Sequence, residues 1–318
     1  MGCLWPSRIL SQPDFAALWK RVRKPFFQQA RRLDIAEPVA EILAHDYLPL
    51  SAWVTAQKKD RPLVLGVNGA QGSGKSTLCE FLTLILAHGY GLRAVGFSLD
   101  DLYRTRAERE RLARQIHPLL ITRGVPGTHD VELGCRLLDA LRSAGPGADV
   151  ALPSFDKAVD DRRPRAEWPT IEGPVDVVIF EGWCVGCKPQ ADEDLVVPIN
   201  ALEAEEDPDG SWRRYVNDQI KGHYANLFAR IDRLLMLCVP SMNSVFEWRS
   251  LQERKLAASL RLEGGPDQYR LMDDSALRRF IMHYERITRH ALAEMPARAD
   301  ITLFLDEAHR FSRVHLAS

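Results

Sequence analysis

Gly69-Ala70-Gln71-Gly72-Ser73-Gly74-Lys75-Ser76-Thr77 decides the fold, because it satisfies G-x-x-x-x-G-K-[ST] in full. The glycines let the chain turn tightly, so that successive backbone N–H groups converge on phosphate oxygens. Lys75 is then expected to reach the β- and γ-phosphates, and the Ser76 hydroxyl to take a place on Mg²⁺. Gly69, Gln71, Gly72, Ser73, Gly74, Lys75, Ser76 and Thr77 are the expected cradle for ATP or a similar nucleoside triphosphate.

The flanks suit that reading. Leu63–Val67 is a short apolar run of the kind that makes a buried parallel strand. Leu78, Phe81, Leu82, Ile85 and Leu86 recur at helical spacing, with Gly89 as the expected stop. A helix beginning at the loop adds its own attraction for anions. Further strands are expected at Leu92–Ser98, Val175–Phe180, Leu234–Val239 and Ile301–Leu305. Helical segments alternate with them, near 133–141, 211–230, 243–262 and 275–295. The alternation predicts an α/β fold, a doubly wound and mainly parallel sheet flanked by helices. Residues 1–60 read as an N-terminal helical extension and 61–318 as the phosphate-loop domain. Ligands in such sheets sit at the carboxyl ends of the strands, which directs attention to Asp100-Asp101 and to Glu181.

The bulk properties exclude several classes. The chain has 318 residues and a net charge of −1, so no nucleic-acid partner is expected over its surface. The basic run Lys20–Lys24 reads as a solvated helix face. No apolar run reaches the length of a membrane span, and the opening residues carry no signal-like core. Pro6 stands where a myristoylation pattern wants Ser or Thr. Six cysteines in a chain of this size make no disulfide scaffold. A reduced, cytoplasmic protein is expected, with Cys184 and Cys187 as structural thiols. The pattern leaves the oligomeric state open.

Leu303-Phe304-Leu305-Asp306-Glu307-Ala308-His309 imitates a helicase D-E-A-H box. Only nine residues follow it, too few for a second motor lobe, and a terminal strand with a polar exit explains the same letters. No [NT]-K-x-D segment suggests a GTPase. Ser98-Leu99-Asp100-Asp101-Leu102-Tyr103-Arg104 is more informative. A carboxylate at the exit of the strand beside the phosphate loop can accept a hydroxyl proton or orient a metal-bound water. Asp100 is the expected base, whereas Asp101 reads equally as a substrate contact or a helix cap. The polar stretches 99–130 and Pro153–Pro174 are the expected acceptor side.

Ser98, Asp100, Tyr103 and Arg104, with the apolar strand ending in Glu181-Gly182, resemble the P-loop small-molecule kinases that include uridine kinase, pantothenate kinase and phosphoribulokinase. The likeness to the D-glycerate 3-kinases of plant and fungal type is closer. It rests on Arg123-Gly124, Gly127-Thr128-His129-Asp130, Pro153 through Lys157, Trp168-Pro169 and Glu172-Gly173-Pro174. It continues through Phe180-Glu181-Gly182-Trp183, Gly186, Lys188-Pro189 and Trp248-Arg249, in order over about residues 63–255. The resemblance implies ATP- and Mg²⁺-dependent phosphoryl transfer to a hydroxyl of glycerate. Lys75 and Ser76 then serve the phosphates and metal, Asp100 is base and metal partner, and Glu181 holds metal-bound water. Arg249 falls where this class keeps its lid helix, and would clamp the transferring group.

A small hydroxy-acid carboxylate needs cations, ideally a planar arginine. Arg123, Lys157 and Arg162 are the candidates, with His129 as a hydrogen-bond donor and Tyr103 and Asp101 nearby in sequence. Cys184 and Cys187 stand where the plant pattern has bulky apolar residues, and Asp160-Asp161-Arg162-Arg163 also departs from it. Other small acceptors (uridine, pantothenate, a sugar phosphate) stay open, as does a nucleotide-binding regulator. The intact Lys75, Ser76, Asp100 and Glu181 favour an enzyme.

Overall fold

The computed structural model describes residues 4–262 and 273–317. Two helices come first, α1 (Gln12–Arg32) and α2 (Glu37–Gln57). On α1 Leu18, Val22, Phe26 and Ala30 are buried at four-residue spacing, so one stripe is committed to the interior and the basic residues between them face outward. β1 (Leu63–Gly69) delivers the phosphate loop and α3 (Lys75–Tyr90) carries the chain away from it. β2 (Ala94–Ser98), α4 (Arg106–Gln115) and α5 (Val131–Ser143) follow.

Short strands then occupy the stretch expected as a long loop: β3 (Asp149–Ala151), β4 (Phe155–Asp156), β5 (Asp161–Arg162) and β6 (Thr170–Glu172). β4 pairs with β5, and β3 with β6, both antiparallel. The chain continues through β7 (Val177–Gly182), α6 (Ala201–Glu206), α7 (Ser211–Gln219), α8 (Ala225–Phe228) and β8 (Arg233–Cys238). It closes with α9 (Met242–Leu262), α10 (Asp274–Glu294), β9 (Ile301–Leu305) and β10 (Phe311–Leu316).

Among the described residues the central sheet runs β10-β9-β8-β1-β7-β2. All neighbours are parallel except β9 and β10. Alternation along each strand divides the core in two. Leu63, Leu65, Val67, Val177, Ile179, Leu235 and Leu237 pack with α1, α2 and α3 on one face. Val64, Val178, Phe180, Leu234 and Met236 pack with α5, α8 and α10 on the other. The two N-terminal helices therefore share a core with the phosphate-loop helix. Register completes the site: Glu181 lies opposite Val67 of β1 on one side and Ser98 of β2 on the other. The loop, the Asp100 turn and Glu181 are thus level at the carboxyl edge of the sheet.

Several expectations are corrected. α3 runs past Gly89 and ends at Gly91, whose φ of 68° is the left-handed cap a glycine supplies cheaply. Gly89 serves packing instead, because a Cβ there would stand 2.5 Å from Leu18 Cδ1 of α1. The strand expected at Val175–Phe180 is displaced to Val177–Gly182, so Glu181 lies within it rather than after it. The helix expected over 211–230 is interrupted by a π-helical stretch at Ile220–Tyr224. β10 was not expected: it is a partly exposed edge strand whose apolar residues alternate with Ser312, Arg313 and His315.

Candidate active site

Gly72 and Gly74 hold φ of 79° and 87°, the left-handed conformations that wrap the loop about its concave side. Gly69 is fixed by space, since a Cβ there would lie 2.6 Å from Ser73 Oγ. Gly74 caps α3 without a side chain, which leaves the first N–H groups of that helix for an anion. Lys75 Nζ donates to Ala70 O at 3.4 Å and so lies back across the loop. Ser73 Oγ is buried with no hydrogen-bond partner among the described residues. A buried hydroxyl of this kind is costly until a ligand oxygen accepts from it, and a phosphate supplies one. Ser76 Oγ donates to Glu181 Oε1 at 3.0 Å. That pair of hard oxygen donors suits Mg²⁺, which takes one or two protein ligands beside substrate phosphates.

Asp100 sits on the short 3₁₀ turn Leu99–Leu102 that follows β2. Its Oδ1 accepts from Tyr103 Oη at 2.8 Å and its Oδ2 from Lys157 Nζ at 2.6 Å. Burial alone would raise this carboxyl. The Lys157 ammonium and the Tyr103 hydroxyl more than offset it, bringing the pKa down to about 2.

Asp101, weighed as a substrate contact or a cap, is the third residue of a capping box whose N-cap is Ser98. Ser98 accepts from the Asp100 N–H while Asp101 Oδ2 accepts from the Ser98 N–H at 3.2 Å, a reciprocal capping box. Burial and the adjacent Asp100 charge push its pKa up to about 6. The folded state thus favours the protonated form, and stability is lost as pH rises from about 4 towards 6. Asp101→Asn should retain the bond to the Ser98 N–H and abolish that loss, whereas Asp101→Ala, which removes one hydrogen bond of the capping box, should cost about 1 kcal/mol. Thermal unfolding at the two ends of that pH range checks both.

In the stretches expected to face the acceptor, Tyr103 and Phe155 meet edge to face at 5.2 Å, and the Arg123 guanidinium lies over Phe155 at 5.5 Å. Arg123 Nη1 also pairs with Asp160 Oδ1. Lys157, Tyr103, Arg123 and Asp100 therefore form one contiguous group. Arg162 turns inward, donating to the Tyr103 carbonyl and pairing with Asp130 at 3.2 Å. It ties loops together, with 13% of its side chain exposed. His129 is corrected as well: it is fully buried, stacked on Tyr103 at 4.6 Å, with Nδ1 against Tyr224 Oη. Burial lowers its pKa to about 3, so it is a neutral packing residue that supports Tyr103.

Arg249 on α9 pairs with Glu253 at 2.5 Å and is 21% exposed. Its neighbour Trp248 backs the phosphate loop, because a Cβ on Gly72 would stand 3.0 Å from Trp248 Cβ. Trp248 stacks on His309 at 4.2 Å, and His309 Nε2 would lie 3.7 Å from a Cβ on Gly74. This aromatic pair beside the loop was missed in the sequence, where His309 read only as the end of a helicase-like box. Cys184 and Cys187 are buried, and burial raises both thiols, Cys187 to about 12. Thiols held protonated in this way are poor nucleophiles. No helix of the described residues is long and apolar enough to cross a membrane.

The chain is 34% identical over 232 residues to an uncharacterized kinase, mug58, of Schizosaccharomyces pombe, covering 70% of this chain and 79% of that one. It is 30% identical over 240 residues to the chloroplastic D-glycerate 3-kinase of Arabidopsis thaliana, covering 70% of this chain but 50% of that protein. Among solved structures, the D-glycerate 3-kinase of Cryptococcus neoformans superposes with a TM-score of 0.67 at 26% identity, covering 85% of this chain and 96% of that one. No family model matches the chain.

Proposed function

The chain belongs to the P-loop small-molecule kinases that include D-glycerate 3-kinase, and on that premise we propose that D-glycerate is its acceptor and Mg²⁺ its metal. It is an ATP-dependent phosphotransferase. One observation supports a small acid acceptor above the others. Arg109 and Arg123 share the single carboxylate of Asp160, so Arg123 has no carboxylate to itself. Arg123 is 29% exposed and Lys157 61% exposed, so both can meet an incoming carboxylate.

ATP supplies the phosphoryl group, and Mg²⁺ the neutralisation of its charge. Lys75 and the first N–H groups of α3 hold the phosphates, while Ser76 and Glu181 would hold the metal. Asp100 orients the acceptor hydroxyl. It takes the hydroxyl proton as the new P–O bond forms and the bond to the β-phosphate oxygen breaks. Lys157, now on Asp100, would be shared with the acceptor carboxylate. Arg249 would exchange Glu253 for the transferring group when α9 closes as a lid.

Arg123→Met tests the acceptor assignment. The KM for D-glycerate should rise about 10- to 100-fold while the KM for ATP stays within about twofold. An unchanged acceptor KM would remove Arg123 from the site.

A further inference from the structure

Arg109 on α4 is the largest side chain buried completely among the described residues, with 1% of it exposed. A charge held there needs every donor matched, and its fork is matched to separate loops. Nε donates to Arg104 O at 3.3 Å, Nη1 to Ile121 O at 2.7 Å and Nη2 to Asp160 O at 2.7 Å. Nη2 also lies 3.0 Å from Asp160 Oδ2. Arg104 ends the segment that begins with Asp100, and Ile121 stands two residues before Arg123. Asp160 is the last residue of the turn between β4 and β5.

Asp160 itself is held at φ 57°, a left-handed conformation that aspartate adopts more readily than most non-glycine residues and that gains from outside support. Arg109 gives that support twice, through the Asp160 carbonyl and its carboxylate. The other oxygen of that carboxylate takes Arg123. Arg109 is too buried to touch a substrate, whereas Arg123 is not.

We infer that Arg109 is a positioning residue for the acceptor: it fixes Asp160, and Asp160 aims Arg123. The inference rests on the acceptor role given to Arg123 above. Lysine cannot replace the fork, since a single ammonium cannot span three loops in fixed directions.

The test is steady-state kinetics of Arg109→Lys and Asp160→Asn, each made in the wild-type and in the Arg123→Met background. D-glycerate and ATP are varied in turn. In the wild-type background each change should raise the D-glycerate KM at least about tenfold and move the ATP KM less than about twofold. In the Arg123→Met background the further rise should vanish, because the residues act in series.

A parallel rise of both KM values would overturn the inference, as would a full effect in the Arg123→Met background. Should Arg109→Lys fail to fold, Asp160→Asn carries the same test, because it keeps the Arg109 bonds to all three carbonyls. If Arg123→Met leaves the D-glycerate KM unmoved, the acceptor assignment itself has failed. If Arg123→Met acts and the other two changes do not, only the positioning role is overturned.

Discussion

Asp100→Asn is expected to lower kcat by about 10²- to 10⁴-fold, the usual share of a positioned acid–base group, with the KM for ATP little changed. Asparagine keeps the shape and can still accept from Tyr103, so the turn after β2 should survive. It cannot take the acceptor proton, and it removes the charge that Lys157 answers. The carboxyl pKa of about 2 lies below the ordinary carboxylate value. Ionisation is therefore favoured by the fold, and the linked stability is present above about pH 4 and lost as pH falls towards 2. Asp100 should contribute no acid limb to kcat/KM in the neutral range. Lys157→Met removes the strongest lowering influence and leaves burial to raise the group, so the acid limb should move to higher pH. A profile that stays in place would show that Asp100 is not the titrating base.

Lys75→Met is expected to reduce kcat by about 10²- to 10³-fold, the scale of losing one donor aimed at developing charge, and to weaken ATP binding as well. The stem of Lys75 packs under the loop, since its Cγ would lie 3.0 Å from a Cβ on Gly69. Methionine preserves that packing, so the melting temperature should hold. Retained turnover would contradict the phosphate role. The two variants should differ in kind: Asp100→Asn spares ATP binding, and Lys75→Met does not.

The parallel strands and the phosphate loop were legible because burial on both faces writes short apolar runs, and the glycine spacing leaves few alternatives. β10 was not, because an edge strand exposes Arg313 and His315 and imitates a polar tail. Asp100 was singled out because it follows a strand, and Glu181, expected just past its strand, lies one residue before that strand's end. Their partners were not legible, since a polar loop shows its donors but not which carboxylate each will meet. His129 was misread for that reason, looking like a surface donor while stacking in the core. Arg109 was invisible, because an arginine on a helix as polar as Arg106–Gln115 looks solvated. Only the convergence of three loops on it reveals burial.

The proposed reaction is transfer of the γ-phosphoryl group of ATP to a small hydroxy acid. Its most direct test is ADP release with D-glycerate, L-glycerate, pantothenate, uridine and ribulose 5-phosphate, the phosphorylated product being identified. Saturable turnover with D-glycerate alone, yielding one 3-phosphoglycerate per ADP, is the predicted result. Turnover on pantothenate, uridine or ribulose 5-phosphate, with D-glycerate no better than the blank, would contradict it.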